Sequence, residues 1–123
     1  MKVTIPKGDA GCDFQFWEYR VSHRQLLIRC PKRDDSSRNV DIKFYNVEYV
    51  DLPPVLPQLE IGEPNHDDIL FVQNRLGKPV AQERITVLET LGRRHIVVAG
   101  RIVIEESQMR IFDSPFELPP IKP

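Results

Sequence analysis

The sequence predicts a mainly β protein: an antiparallel curved sheet, closing into a small barrel or folding into a sandwich, with one short helix near residues 66–76. Three observations carry this reading. Apolar and polar residues alternate over several short stretches, the period of half-buried strands. Prolines and turn-forming residues punctuate those stretches. One segment, from His66 to Leu76, carries capping signals at both ends.

The N-terminal half begins with a hairpin. In Phe14 to Val21, Trp17, Tyr19 and Val21 share one face and Phe14 and Phe16 the other. Gln25 to Cys30 follows with Leu26, Ile28 and Cys30 in phase. A turn centred on Ser22–His23 sets Tyr19 opposite Leu26 and Trp17 opposite Ile28, a favourable aromatic–aliphatic pairing that predicts a buried Trp17. Pro31 to Arg38 is polar and turn-prone and is read as a loop. Val40, Ile42 and Phe44 alternate with Asp41 and Lys43 as a half-buried strand. Tyr45–Asn46 interrupts the phase, which resumes at Val47, and Asn tolerates the positive φ of a tight turn or bulge. Between Asp51 and Asn65, four prolines (Pro53, Pro54, Pro57 and Pro64) predict a crossover loop with at most short edge pairing.

Asn65 is a helix cap, Asp67 and Asp68 suit a first turn, and Gly77 suits a stop; Ile69, Val72 and Leu76 lie on one helical stripe. The competing reading is a buried strand over Ile69–Val72. Ile85 to Leu91 and His95 to Ile104 are β runs around Gly92–Arg93, with Val87 expected opposite Val98. Gly100 marks a bend or bulge. A further turn at Ser107–Gln108 pairs Ile104 with Ile111, Val103 with Phe112 and Glu105 with Arg110, completing a three-strand meander. The chain thus divides into a single β-rich domain, 1–113, and a proline-rich extended tail, 114–123.

Composition bounds the function. The chain has 123 residues, enough for one domain with its own core. Its 17 basic and 18 acidic residues leave a net charge of −1, so no overall field gathers nucleic acid or anionic lipid, and nucleic acid is not an expected partner. Apolar runs of four residues, such as Ile69–Val72, fall far short of the roughly 20 that span a bilayer, so no membrane partner is expected. The start lacks the apolar core of a signal peptide, and the expected location is cytoplasmic.

Two cysteines fit that location as free thiols. With facing residues summing to 45, Cys30 faces Gln15 and Cys12 lies three residues further on. That is about 10 Å at roughly 3.4 Å per residue, beyond the ~7 Å a disulfide tolerates.

Chemistry-bearing motifs are sparse. No two histidines or cysteines stand at metal-ligand spacing, and no phosphate-cradling glycine loop or GxSxG occurs, so neither metal nor cofactor is expected. His66–Asp67–Asp68 is the one His–carboxylate cluster, and a polar helix start explains it more simply than a site. Arg93–Arg94–His95, at a hairpin tip, suits an anionic partner, although a solvated turn explains it more simply. Phe14 and Phe16 are the candidate contact residues on the second apolar face of the first strand, with Arg29 in phase for a base-stacking face.

The expected function is a non-catalytic protein-binding or interaction module, by class analogy an immunity-type inhibitor or an accessory subunit, working through another protein or by self-association. Phe14, Phe16, Arg93, Arg94 and His95 are its candidate binding residues. The alternatives are a small-molecule-binding β-barrel enclosing Trp17, Tyr19 and Val98, and a small enzyme using a His/Asp or Cys/His site.

Overall fold

The computed structural model describes residues 13–31, 38–110 and 113–116. Its architecture is mainly β, with two antiparallel sheets and one helix, and it does not close into a barrel. The strands are β1 (Phe14–Arg20), β2 (Gln25–Cys30), β3 (Asn39–Tyr45), β4 (Tyr49–Asp51), β5 (Val55–Leu56), β6 (Glu60–Gly62), β7 (Ile85–Thr90), β8 (Arg93–Val98) and β9 (Arg101–Ser107). One sheet has the order β5-β1-β2-β3-β9 and the other β4-β8-β7-β6. Helix α1 spans His66–Leu76. None of the described helices is long and apolar enough to cross a membrane.

Three layers result. Phe14, Leu26, Ile28, Val40, Ile42, Phe44 and Leu56 of the first sheet bury themselves against Ile61, Leu88 and Val97 of the second. On the other face of the second sheet, Ile85, Ile96 and Val98 pack against Val72, with Ile69 and Leu76 beside it. The helix therefore covers apolar surface that a lone two-sheet sandwich would leave wet.

The helix forms where its caps predict. The Asn65 side chain accepts from the Asp68 amide and the Asp68 carboxylate accepts from the Asn65 amide, each at 2.8 Å, a closed capping box. Gly77 ends the helix at φ 66°, a left-handed conformation that favours glycine.

Two corners join the sheets. Asn46, at φ 55°, ends β3 and turns the chain into β4. Beside it, Ala99–Gly100 carries the chain from β8 back into β9. The Gly100 amide donates to the Tyr45 carbonyl at 2.9 Å, and a Cβ on Gly100 would stand 3.2 Å from the Asn46 Cβ. The run predicted over His95–Ile104 is thus two strands in different sheets. The bend at Gly100 is present, but β9 pairs with β3, Ile104 opposite Ile42, rather than continuing a meander. The predicted pairings of Ile111 and Phe112 lie outside the described residues.

Two registers differ from expectation. Leu91 and Gly92, at φ 51° and 75°, form the β7–β8 turn, so Val87 faces Ile96, not Val98. That slip of two residues keeps every side chain on its predicted face. In β1 the difference is larger. Tyr19 faces Leu26 as expected, but Phe16, not Trp17, faces Ile28, because Trp17 is the extra residue of a bulge. Trp17 is half-buried, on the outer face against Arg29, whose guanidinium lies 5.7 Å from the ring centre.

The bulge also bears on the cysteines. Cys30 is disulfide-bonded and no described cysteine is free, which corrects the expectation of free thiols. The sequence holds one other cysteine, Cys12, which lies outside the described residues. With Gln15 opposite Arg29, the facing numbers there sum to 44. Cys30 is then level with position 14, two residues from position 12 instead of three.

Candidate binding groove

β1 and β4 belong to different sheets and meet along one open side of the sandwich. Between them runs a groove of about 420 Å³, lined by Phe16 and Tyr19 from β1 and by Val47, Glu48, Tyr49, Val50 and Leu52 around β4. The bulge builds its β1 wall. Phe16 and Tyr19 are three residues apart, which in an unbroken strand places them on opposite faces. The extra residue at Trp17 restores them to one face, opposite Ile28 and Leu26. Both stay more than a third exposed, at 36% and 38%.

The β4 wall is held from behind. The Val47 amide donates to the Arg24 carbonyl at 3.0 Å, and the Glu48 amide to the Val98 carbonyl at 2.7 Å. Glu48 also binds the Lys78 ammonium at 2.7 Å and the Arg84 guanidinium at 2.8 Å. The hydrogen bond from Lys78, with its charge and that of Arg84, holds the Glu48 carboxyl below its ordinary pKa against the opposing effect of burial. Tyr49 continues the aromatic surface towards the helix. Its ring meets Phe71 edge-on at 6.3 Å, and the Arg75 guanidinium lies 5.2 Å from the Phe71 ring centre. Phe16, Tyr19 and Tyr49 thus line the groove, and Phe71 adjoins it through Tyr49.

Among the described residues β4 pairs on one side only, with β8. The strand is three residues long and runs into Leu52, Pro53 and Pro54. Short length and proline discourage indiscriminate edge pairing. The groove therefore offers side-chain surface first, with a short stretch of backbone beside it.

The candidates named from sequence do not form one site. Phe16 is in the groove. Phe14 belongs to the buried core opposite Leu56 and is not available as a contact surface. Arg93 is exposed beside the β7–β8 turn, and His95 is half-buried opposite Leu88. Arg94 is engaged within the chain, by an ion pair to Asp68 of α1 and a 2.5 Å contact with Glu89. None of these three lines the groove. Burial pushes the Asp68 carboxyl up, but Arg94 and the Asn65 amide together hold it below its ordinary value. Asp68 thus serves the helix start and its anchor to β8, while His66 and Asp67 are exposed. No group of three or more His, Cys, Asp or Glu among the described residues is placed to hold a metal ion. Trp17, Tyr19 and Val98 do not enclose a common cavity: Trp17 turns outward, Tyr19 lines the groove, and Val98 is buried under the helix.

No protein-family model, no curated protein and no solved structure matches the chain. The chemistry of the groove is the basis for a functional reading.

Proposed function

We propose that the protein is a non-catalytic binding module that engages another protein through the β1–β4 groove. One observation carries the reading: Phe16 and Tyr19, each more than a third exposed, converge on Val50, Leu52 and Tyr49 in an open groove. Aromatic side chains on a fixed backbone are the usual anchors of protein interfaces, because they bring large area at low conformational entropy. Single exposed apolar residues need no explanation, but several gathered in one groove do. An inhibitor of a toxin and an accessory subunit are both compatible with such a surface.

Replacing Phe16 and Tyr19 together by serine tests the proposal. The double variant should lose some stability, because about two thirds of each side chain is buried, but remain folded and lose the partner. Light scattering on the parent distinguishes self-association from a hetero-complex. If the variant retains every interaction of the parent, the groove is not the contact.

A small apolar ligand is the second reading, favoured by a groove volume within the range of ligand sites. Its openness favours a protein segment, which brings its own water-excluding cover. Two free thiols would fit the expected cytoplasmic location. The disulfide at Cys30 withdraws that support and favours an oxidising compartment.

A further inference from the structure

The middle of the outer face of the five-stranded sheet is charged and yet buried. Arg29 on β2 and Asp41 on β3 face each other across the strands, both fully buried, with contacts of 2.7 Å from Nε and 3.0 Å from Nη2. Lys43 pairs with Glu105 of β9 beside them. Charges buried in this way need partners, and each here has one.

Among the described residues, the segment Asp113–Phe116 lies against this layer and adds no strand to the sheet. Arg29 Nη1 donates to the Asp113 carbonyl at 2.8 Å. Ser114 Oγ donates to Glu18 at 2.6 Å and accepts from the Phe116 amide at 3.2 Å. The Phe116 ring meets Tyr45 edge-on at 5.8 Å. At the approach to the segment, the Asn39 side-chain amide donates to the Met109 carbonyl at 3.1 Å. A main-chain carbonyl, a hydroxyl and an aromatic ring, at three positions of a short segment, thus meet a guanidinium, a carboxylate and a phenol ring on three adjacent strands. The segment is a turn closed by the Phe116 amide on Ser114. It presents one backbone and two side-chain contacts to the sheet, the division by which peptide-binding surfaces combine affinity with specificity.

We propose that this face is a peptide-recognition surface occupied in cis by Asp113–Phe116, which acts as a strap able to open while the sandwich stays folded. The apolar core lies on the opposite face of the sheet, so opening does not breach it. Arg29 keeps both contacts to Asp41 when the Asp113 carbonyl leaves, so opening strands no unpaired buried charge. Local opening of this kind requires less free energy than global unfolding. The inference is independent of the β1–β4 groove.

Two measurements on the full chain test it. In hydrogen exchange, the Asp113 and Phe116 amides should exchange at least tenfold faster than those of Leu27 and Ile42, and Ser114→Ala or Phe116→Ala should speed them further without moving the urea midpoint. A synthetic peptide of residues 109–116, at millimolar concentration, should displace the strap and change the emission of Trp17, the sole tryptophan. The same peptide with Ser114→Ala and Phe116→Ala should not. Exchange of the strap at the rate of the sheet, or a midpoint that falls in both variants, makes the segment an integral part of the fold and overturns the proposal. A silent Trp17 with the parent peptide overturns its recognition half.

Discussion

Phe16 and Tyr19 stand three residues apart on β1 and line the same groove, a relationship that alternation in an unbroken strand forbids. The bulge at Trp17 reconciles the two. The same extra residue sends the indole to the outer face against Arg29. One inserted position therefore supplies both the aromatic wall of the groove and an aromatic contact for the buried Arg29.

Trp17→Ala should destabilise the protein by about 1–2 kcal/mol, the size of a partly desolvated cation–π contact. A core tryptophan would cost about 3–5 kcal/mol. Urea unfolding distinguishes them, and a loss in the higher range would return Trp17 to the core.

Asp41→Ala should cost roughly 3–5 kcal/mol, because it leaves the fully buried Arg29 guanidinium without its carboxylate. Replacing both partners together by apolar residues of similar size should cost much less. Equal losses for the single and double variants would show that the charges themselves are not the reason.

Asn65→Ala should cost about 1 kcal/mol through loss of the capping box. The Asp68 carboxyl titrates below its ordinary value of 3.8 in the folded chain. Its stabilising contribution is therefore complete above that value and is lost as pH falls through the lower folded pKa. Arg94 faces it from β8, with Glu89 of β7 beside that arginine. Thermal unfolding of Asp68→Asn between pH 5 and pH 2 should show a flatter pH dependence than the parent, and parallel curves would assign the acid sensitivity elsewhere.

A thiol titration under denaturing, non-reducing conditions should detect close to no free thiol, because Cys30 is in a disulfide. Two thiols per chain would contradict that bond and restore the reduced state expected from the sequence.

What the sequence disclosed depended on how local the signal was. The helix was legible because its stripe and both caps, Asn65 and Gly77, lie within 13 successive residues. The positive φ of Asn46 and the break at Gly100 were legible because residue type carries that information. The switch of β9 into the other sheet was not, since it depends on pairing with β3 about 60 residues earlier in the chain. The bulge was hidden by composition: with Phe14, Phe16, Trp17 and Tyr19 in succession, both faces read as apolar and a one-residue shift leaves no trace. The groove escaped for both reasons, because it needs the bulge and a β4 wall from a distant part of the chain.

Site-specific photo-crosslinking in the native cells is the most direct test of the groove as a protein-binding surface. A photoreactive phenylalanine at position 16 or 19 should give one adduct of discrete mass. The same group at Leu91, on the exposed β7–β8 turn, should give none. Adducts from Leu91 equal to those from positions 16 and 19, or no adduct from the groove in a variant that remains folded, would contradict the account.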